Sequence, residues 1–207
     1  MPELTGDEPL RVRALRIEGA SRTRASVVEQ ELQEAYAATT FEGVVVGCHA
    51  AVQRLQRTGV FRAVTVELQG VPGGDPHATD LVVTVEEKSL FGISANVNAN
   101  SIEATADSTV TLRNPLGSAE MLSLSGGAGT KSSYSSQALL RRPRFLGLPA
   151  HFEVLAGRSR LSYADTSSYD KKEKKFSVCV KDDNGGHSLD WTLAFRDLVP
   201  LRDETTP

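Results

Sequence analysis

The sequence predicts a small α+β domain followed by a long antiparallel β-sheet. Before Lys88, stretches with the apolar spacing of a helix alternate with stretches that have the two-residue period of a strand. From Leu90 onward the two-residue period holds almost everywhere, and turn segments rich in Gly, Asn and Pro separate the alternating runs. This change of period divides the chain into two parts with different architectures.

The first part begins with a strand and a helix. Residues 10–18 alternate charged and apolar side chains, which is typical of a strand with one buried face. Ser26 and Glu29 have the spacing of a capping box, and Thr23 is a competing N-cap. The helix that they predict has apolar residues at helical spacing, namely Val28, Leu32 and Ala35 or Tyr36.

A second helix and two strands complete the first part. Thr40 is its expected N-cap, and Gly59 is the expected residue just after its end. Alternating apolar residues over 64–68 and 81–85 predict two strands, joined by the turn-rich loop 70–79. The order strand, helix, helix, strand, strand places two helices on one face of a sheet. The face of the second helix toward that sheet holds Val44 or Val45, Cys48, Val52 and Leu55.

The second part contains about seven predicted strands, many near the ~9–11 residues that cross a bilayer at a tilt. Their polar face, rich in Ser, Thr, Asn and Gly, would fill a packed core poorly. It suits the wet lumen of a membrane β-barrel whose apolar face contacts lipid. A soluble sandwich stays open as an alternative, and the strand lengths favour the barrel. In the first strand, Leu90–Asn100, one face holds Phe91, Ile93, Ala95, Val97 and Ala99, and the other holds Gly92, Ser94, Asn96, Asn98 and Asn100.

The composition narrows the class of protein. The 207 residues include 23 Lys and Arg against 26 Asp and Glu, which gives a net charge of -3. General nucleic-acid binders usually have a strong basic excess, so no nucleic acid is expected as a partner. Cys48 and Cys179 suggest neither a disulfide framework nor a metal cluster. No stretch approaches the ~20 apolar residues of a membrane helix, and the start of the sequence lacks a signal or transit-peptide pattern.

Four patterns partly resemble ligand sites, and none has the full signature. Residues 125–132 come close to a phosphate-binding loop, but Thr130 separates the last glycine from Lys131 and no helix follows. Residues 182–186 resemble a calcium loop in composition alone, and the four histidines lack metal-ligand spacing. We expect no enzyme activity, no catalytic residue, no cofactor and no metal. A basic run predicts a solvated rim or contact with anionic head groups, and it consists of Lys171, Lys172, Lys174 and Lys175.

Several segments together resemble the superfamily of BamA-like outer-membrane insertases and translocases, in which POTRA domains precede a β-barrel. LQRTGVFRAV at 55–64 is similar to the end of a POTRA helix and the strand after it. Each motif is short, but their order and spacing resemble the family over residues 10–200. The barrel-type segments are LRNPLGSAE at 112–120, GTK at 129–131 with Ser133-Tyr134, RRP at 141–143, and WTLAFRDL at 191–198, which resembles a strand ending in a turn.

The resemblance implies an N-terminal tail at 1–9, a POTRA-like domain at 10–88, an incomplete antiparallel transmembrane barrel at 89–200 and a polar tail at 201–207. One POTRA-like domain points to the mitochondrial sorting and assembly branch. The implied function is insertion and assembly of β-barrel precursors in the mitochondrial outer membrane, with the POTRA-like domain toward the intermembrane space. A bacterial or plastid outer membrane is the alternative. The implied partners are those precursors, other subunits of the machinery and outer-membrane lipid.

The implied mechanism is templating of a precursor strand at an openable seam between the first and last barrel strands. The polar side chains of the first strand fit either a weakly packed seam or an ordinary lumen-facing surface. The candidate precursor-pairing residues are Phe91, Gly92, Ile93, Ser94, Ala95, Asn96, Val97 and Asn98.

The strand count and the last residues predict a truncated chain. Single-chain barrels of this kind have ~8 or more strands, and seven strands alone would leave two open edges in lipid. The closing residues LVPLRDETTP lack the terminal aromatic of a final barrel strand. The alternative function is therefore a soluble, POTRA-led binding module without insertase activity.

Arginine substitutions test the two faces of the first strand. Val97→Arg places a charge on the inferred lipid face, and Asn96→Arg places the same charge on the inferred lumen face. A cation at the bilayer midplane costs ~2–4 kcal/mol. Val97→Arg should therefore hinder membrane integration of a complete barrel with this strand far more than Asn96→Arg. Carbonate extraction measures integration, and equal effects would contradict the facing assignment.

Overall fold

The computed structural model describes residues 8–71, 75–99, 103–163, 168–182 and 186–201. The chain forms two compact units. The first contains the residues up to Ser89 together with Arg113–Glu120, and the second contains Leu90–Leu112 and the residues from Met121 onward. The segment Arg113–Glu120, which the sequence motifs group with the barrel, therefore packs as part of the first unit.

The first unit combines a three-stranded sheet with α-helices. Strand β3 is central in the sheet, parallel to β1 and antiparallel to β2. The predicted mixture of strands and helices is confirmed, except that two short helices replace the first predicted one. In chain order the elements are β1 (Arg11–Glu18), α1 (Ala25–Glu31), α2 (Gln33–Ala37), α3 (Phe41–Arg57), β2 (Phe61–Gly70) and β3 (Ala78–Glu87).

One apolar core joins the helices of this unit to its sheet. Burying a Val or Leu side chain stabilises a fold by about 1.5–3 kcal/mol, so this shared core holds the helices on the sheet. On α3, Val44 is buried while Val45 is 42% exposed, which resolves the choice left open by the sequence. Among the described helices, none is both long enough and apolar enough to span a bilayer. The fully buried core side chains include Val28, Leu32, Ala35, Val44, Ala51, Leu55, Leu81 and Val83.

The ends of α3 agree with the sequence prediction. The Thr40 hydroxyl oxygen accepts a hydrogen bond from the Gly43 backbone N–H at 3.2 Å, as an N-cap does. Gly59 follows the end of the helix with φ at +75°, a left-handed conformation that favours glycine.

The capping box predicted at the start of the first helix is wrong. Helix α1 begins at Ala25 with Arg24 as its N-cap residue, and no side chain caps it. The Thr23 hydroxyl donates instead to the Glu87 carboxylate at 2.6 Å. This tertiary hydrogen bond outweighs the local capping preference that the sequence suggests.

The second unit is a seven-stranded antiparallel sheet in which the strands lie in chain order. The predicted number of strands is confirmed. Strands β4 and β10 are the two edges and do not pair with each other, so the sheet of described residues is open. The strands are β4 (Phe91–Ala99), β5 (Ala104–Arg113), β6 (Met121–Gly129), β7 (Tyr134–Arg142), β8 (Ala150–Ser162), β9 (Tyr169–Asp182) and β10 (Ser188–Pro200), with a short 3-10 helix at Phe145–Gly147 between β7 and β8.

The turn predicted near the end of the WTLAFRDL segment is wrong. Strand β10 continues through Arg196, Asp197 and Leu198 and remains paired with β9 as far as Pro200. Strand β9 is 14 residues long and supplies a partner at each of these positions. Among them, Glu173 accepts a hydrogen bond from the Arg196 guanidinium at 2.9 Å, which favours continued pairing over a turn.

Strand pairing places apolar residues opposite one another on one face of this sheet. Examples are Ile93 opposite Val110, Leu140 opposite Val154 and Val178 opposite Trp191. Much of this face is exposed to solvent. Ile93, for example, is 79% exposed, and Trp191 is 55% exposed. Within the second unit, the described strands form one seven-stranded sheet and no second one. This part of the chain therefore does not form the sandwich considered from the sequence.

Gly47 allows close packing between α2 and α3. A Cβ atom at Gly47 would lie 2.7 Å from the backbone N and Cα atoms of Ala35. We expect Gly47→Ala to destabilise the first unit by about 1–3 kcal/mol, because overpacking outweighs the higher helix propensity of alanine. Urea unfolding followed by the helical circular dichroism signal measures this, since the described α-helices all lie in the first unit. Val46→Ala, at an exposed position on α3, is the control, and an equal response of both variants would contradict the close approach.

Candidate functional site

The eight candidate precursor-pairing residues all lie in β4, at one edge of the seven-stranded sheet. Within the described residues, its strand partner is β5, paired from Phe91 opposite Leu112 to Ala99 opposite Ala104. Asn100, which the sequence assigned to this strand, lies outside the described residues. An edge strand has backbone N–H and C=O groups that point away from its one partner. Strand β4 therefore has hydrogen-bonding groups that can pair with a further strand.

The polar face of β4 continues across β5. Ser94 lies opposite Thr109, and Asn96 lies opposite Asp107. From Ser94 to Asn98 every residue of the strand is exposed, on both faces of the sheet. The predicted precursor-pairing segment thus lies at the edge of the sheet and is also exposed.

The glycines that resemble a phosphate-binding loop belong to β6 and make room for two acidic side chains. A Cβ atom at Gly127 would lie 1.8 Å from a carboxylate oxygen of Asp107, and one at Gly129 would lie 2.0 Å from a carboxylate oxygen of Glu103. The backbone N–H of Gly129 donates to the Ser133 carbonyl at 2.8 Å and closes a tight hairpin. The hairpin interpretation is confirmed, and close side-chain packing explains the glycines.

The backbone just before β4 is held by hydrogen bonds within the first unit. Lys88 N–H donates to the Val60 carbonyl at 2.8 Å, and the Arg22 guanidinium donates to the Lys88 carbonyl. The Arg113 guanidinium donates to the Ser89 carbonyl at 3.3 Å. These contacts fix the two residues from which the chain enters the candidate strand.

A buried carboxylate, Glu87, organises the neighbouring loop between β1 and α1. One carboxylate oxygen accepts from the Thr23 backbone N–H at 2.7 Å and from the Thr23 hydroxyl at 2.6 Å. The other accepts from the Ser21 hydroxyl at 2.8 Å and from the Arg22 guanidinium at 3.1 Å. Burial raises the pKa of Glu87, but the hydrogen bonds from Thr23, Ser21 and Arg22 outweigh it and lower the pKa from 4.5 to about 2.

The loop Arg113–Glu120 joins this network through Asn114. The Asn114 side-chain amide donates to the Thr23 hydroxyl at 2.7 Å, and its side-chain oxygen accepts from Ala119 N–H at 2.8 Å. Gly117 has φ at +84°, and a Cβ atom there would lie 2.9 Å from the Arg22 carbonyl oxygen. The sequence patterns did not predict this cluster. The Asn-Pro-Leu-Gly sequence predicted a turn at this place, and turn residues usually lie in solvent. Here the asparagine of the turn, Asn114, is only 2% exposed.

The other candidate patterns do not come together as a site. Within the described ranges, no group of three or more His, Cys, Asp or Glu residues is arranged to hold a metal ion. Cys48 and Cys179 are free thiols. Residues 183–185 of the calcium-loop resemblance lie outside the described residues. The arrangement that remains is an exposed sheet edge, and its chemistry is backbone hydrogen bonding.

Comparison of folds finds solved structures with a similar architecture. BamA from Haemophilus ducreyi lacking POTRA domains 1–3 matches 90% of this chain and 35% of its own chain, with a TM-score of 0.65 and 19% identity. CdiB from Acinetobacter baumannii matches 93% of this chain and 40% of its own, with a TM-score of 0.57 and 12% identity. The fold with its open antiparallel sheet therefore resembles a BamA-type barrel. No protein-family profile matches the chain.

Comparison of sequences finds curated proteins that are similar to this chain. The "Sorting and assembly machinery component 50 homolog" of Bos taurus is 26% identical over 133 residues, which are 63% of this chain and 28% of that protein. The Homo sapiens homolog is 27% identical over 144 residues, which are 68% of this chain and 31% of that protein. The chain spans less than a third of the length of these relatives. The chain is thus similar in sequence to these homologues and similar in fold to BamA and CdiB, which agrees with the resemblance that the motifs predicted.

The Glu87 network predicts an acid-sensitive first unit. Because the folded-state pKa is lowered, the stabilisation is fully present above about pH 4.5 and is lost as the pH falls toward about 2. Glu87→Gln should lower the unfolding free energy at neutral pH by about 2–3 kcal/mol and flatten its decline below pH 4.5. Urea unfolding followed by helical circular dichroism measures both effects. Glu86→Gln, at an exposed neighbour, is the control, and an unchanged pH profile for Glu87→Gln would contradict this role.

Proposed function

We propose that this chain is part of a β-barrel insertase that helps to insert and assemble β-barrel precursors in the mitochondrial outer membrane. The observation that supports this function best is the edge position of β4. Sequence similarity to sorting and assembly machinery component 50 homologues supports the choice of membrane. In this proposal the first unit is a POTRA-like domain and the second contributes the first strands of a barrel.

The proposed mechanism is addition of a precursor strand to the free edge of β4, along Phe91–Asn98. A precursor strand in lipid must satisfy its backbone groups, because each unsatisfied group costs several kcal/mol. Pairing with β4 supplies those partners before lipid surrounds the strand. Main-chain hydrogen bonds provide the affinity, so the same edge can accept precursors with different side chains.

The two faces of the sheet have different proposed environments. The exposed apolar face, which includes Ile93 and Val97, contacts lipid, and the face with Ser94 and Asn96 lines a wet lumen. The POTRA-like unit lies toward the intermembrane space and handles precursors before transfer. The proposed partners are barrel precursors, other subunits of the sorting and assembly machinery, and outer-membrane lipid.

Disulfide crosslinking tests precursor pairing at β4. Cys48 is buried, so a Cys179→Ser background leaves no accessible thiol among the described cysteines. In that background, Ser94→Cys should crosslink to a barrel precursor with one cysteine in its last strand, in mitochondria where insertion is arrested. Non-reducing gels measure the product.

Thr109→Cys is the matched control for this experiment. Thr109 lies directly opposite Ser94, on the same face of the sheet, but β5 has a strand on both sides. We expect a crosslink from Ser94→Cys and little from Thr109→Cys. Equal yields would indicate general contact with the polar face, and no product from either variant would contradict precursor pairing at this edge.

A further inference from the structure

The basic run at the start of β9 is divided between the two faces of the sheet. Lys171 and Lys175 lie on the face that also holds Glu173, whose carboxylate ion-pairs with Lys171 at 3.3 Å. Strand alternation places Lys172 and Lys174 on the opposite face, with the apolar residues of β9. Two lysines of the run therefore belong to the apolar face.

Two arginines of β8 face these lysines. Arg158 lies opposite Lys174, and Arg160 lies opposite Lys172. Residues directly opposite in an antiparallel pair have Cβ atoms about 4.5–5.5 Å apart, and like charges there repel. These four residues form a compact cationic cluster, called here the basic block.

The basic block begins where the apolar part of this face ends. The next pair along the strands is Ala156 with Phe176, followed by Val154 with Val178. Trp191 of β10 packs edge-to-face on Phe176, with ring centroids 6.0 Å apart. Strands β8, β9 and β10 contain 13, 14 and 13 residues. A bilayer is crossed by ~9–11 residues of a strand, so these strands are longer than the crossing requires. The basic block lies on the part of the strands that extends beyond the apolar segment.

The outer half of the block has carboxylate neighbours within the sheet. The Arg160 guanidinium donates to the Asp170 carboxylate at 2.8 Å, and Asp170 is 2% exposed. Lys172 lies opposite Asp197 of β10. The positive charge of this half is therefore largely balanced.

The inner half of the block has no such balance. Within the part of the chain that the structure describes, neither Arg158 nor Lys174 forms an ion pair with a carboxylate. Arg158 donates to the Ser136 hydroxyl at 3.2 Å and lies 5.9 Å from the centre of the Tyr134 ring. Lys174 lies opposite Phe195 on β10, and both cations are exposed. Two adjacent exposed cations thus border an apolar, aromatic surface.

We propose that Arg158 and Lys174 bind the phosphate of an anionic phospholipid headgroup, with phosphatidylserine as the test lipid. This proposal rests on the proposed membrane function. A guanidinium and an ammonium together suit a phosphate, because arginine offers a planar pair of donors and lysine a point charge. The acyl chains of the same molecule would lie along Phe176 and Trp191. This continuity between charge and apolar surface favours a lipid over free phosphate.

The single tryptophan, Trp191, reports on this site because it packs against Phe176, two residues from Lys174. The 207-residue chain is reconstituted in phosphatidylcholine vesicles that contain either dansyl-labelled phosphatidylserine or dansyl-labelled phosphatidylcholine. In both lipids the dansyl group is attached to an acyl chain, and energy transfer from Trp191 to it measures which lipid is enriched beside Trp191. We expect enrichment of phosphatidylserine beside Trp191. In the double variant Arg158→Gln/Lys174→Gln, the apparent affinity for phosphatidylserine should fall about fivefold or more.

Lys171→Gln/Lys175→Gln is the matched control. It also removes two positive charges, and both lysines lie on β9, but on the opposite face of the sheet. It should keep the enrichment. Equal loss in both double variants would overturn the proposal in favour of a general charge effect. Loss of the enrichment on adding inorganic phosphate, but not chloride at equal ionic strength, would overturn the lipid as occupant in favour of free phosphate.

A separate measurement distinguishes failure of this site from failure of the proposed function. Brominated acyl chains in phosphatidylcholine vesicles quench Trp191 if the sheet enters the bilayer. Quenching without enrichment of phosphatidylserine overturns the lipid site alone. Absence of quenching, with the chain remaining outside floated vesicles, overturns both the membrane-embedded sheet and the lipid site.

Discussion

Backbone hydrogen bonding at strand edges is the constraint on which the second unit depends. Each interior strand satisfies its N–H and C=O groups through two neighbours, whereas β4 and β10 each have one neighbour among the described strands. In water an unpaired edge is solvated, but in lipid it has no alternative partner. The same physical requirement underlies the function proposed for β4, because an edge that must be paired can pair with the strand of another chain.

The first unit is stabilised in a different way. Apolar side chains hold its helices on the sheet, and hydrogen bonds to a carboxylate hold its loops. The core side chains of α3 and β3 fix the helices on the sheet, while Glu87 collects donors from the loop between β1 and α1. A buried carboxylate is costly unless it is fully hydrogen-bonded. Several donors offset that cost, and the loop that supplies them is thereby held in one conformation.

Periodicity predicted most of the fold because the individual segments have a clear spacing, helical or two-residue in the first part and two-residue almost throughout the second. Thr40 and Gly59 acted locally, as an N-cap and as the residue after a helix end, and both were correctly predicted. Ser26 was not, because the helix already begins at Ala25, and the competing cap Thr23 bonds instead to a residue 64 positions away. The turn expected at 196–198 failed for the same reason, since pairing with β9 continues through it. Local patterns cannot contain such distant partners.

The candidate site was predictable to a similar extent. The residues of β4 could be named from their alternation and their order in the chain. Their position at an edge required the topology, since an edge strand and an interior strand have the same sequence period. The division of the lysine run between two faces follows from alternation, but the arginines opposite Lys172 and Lys174 become apparent only from the register with β8.

The placement of Asn114 with Thr23 has a consequence for the order in which the chain folds. The two residues are separated by 91 positions, and Ala119 of the same loop is 1% exposed within the core of the first unit. During synthesis from the N-terminus, a nascent chain that ends at residue 88 lacks this loop. Its Thr23 hydroxyl and the apolar surface that receives Ala119 then remain open to water. The first unit can therefore be completed only after the intervening strands β4 and β5 have been made, and its completion closes a loop that contains both strands.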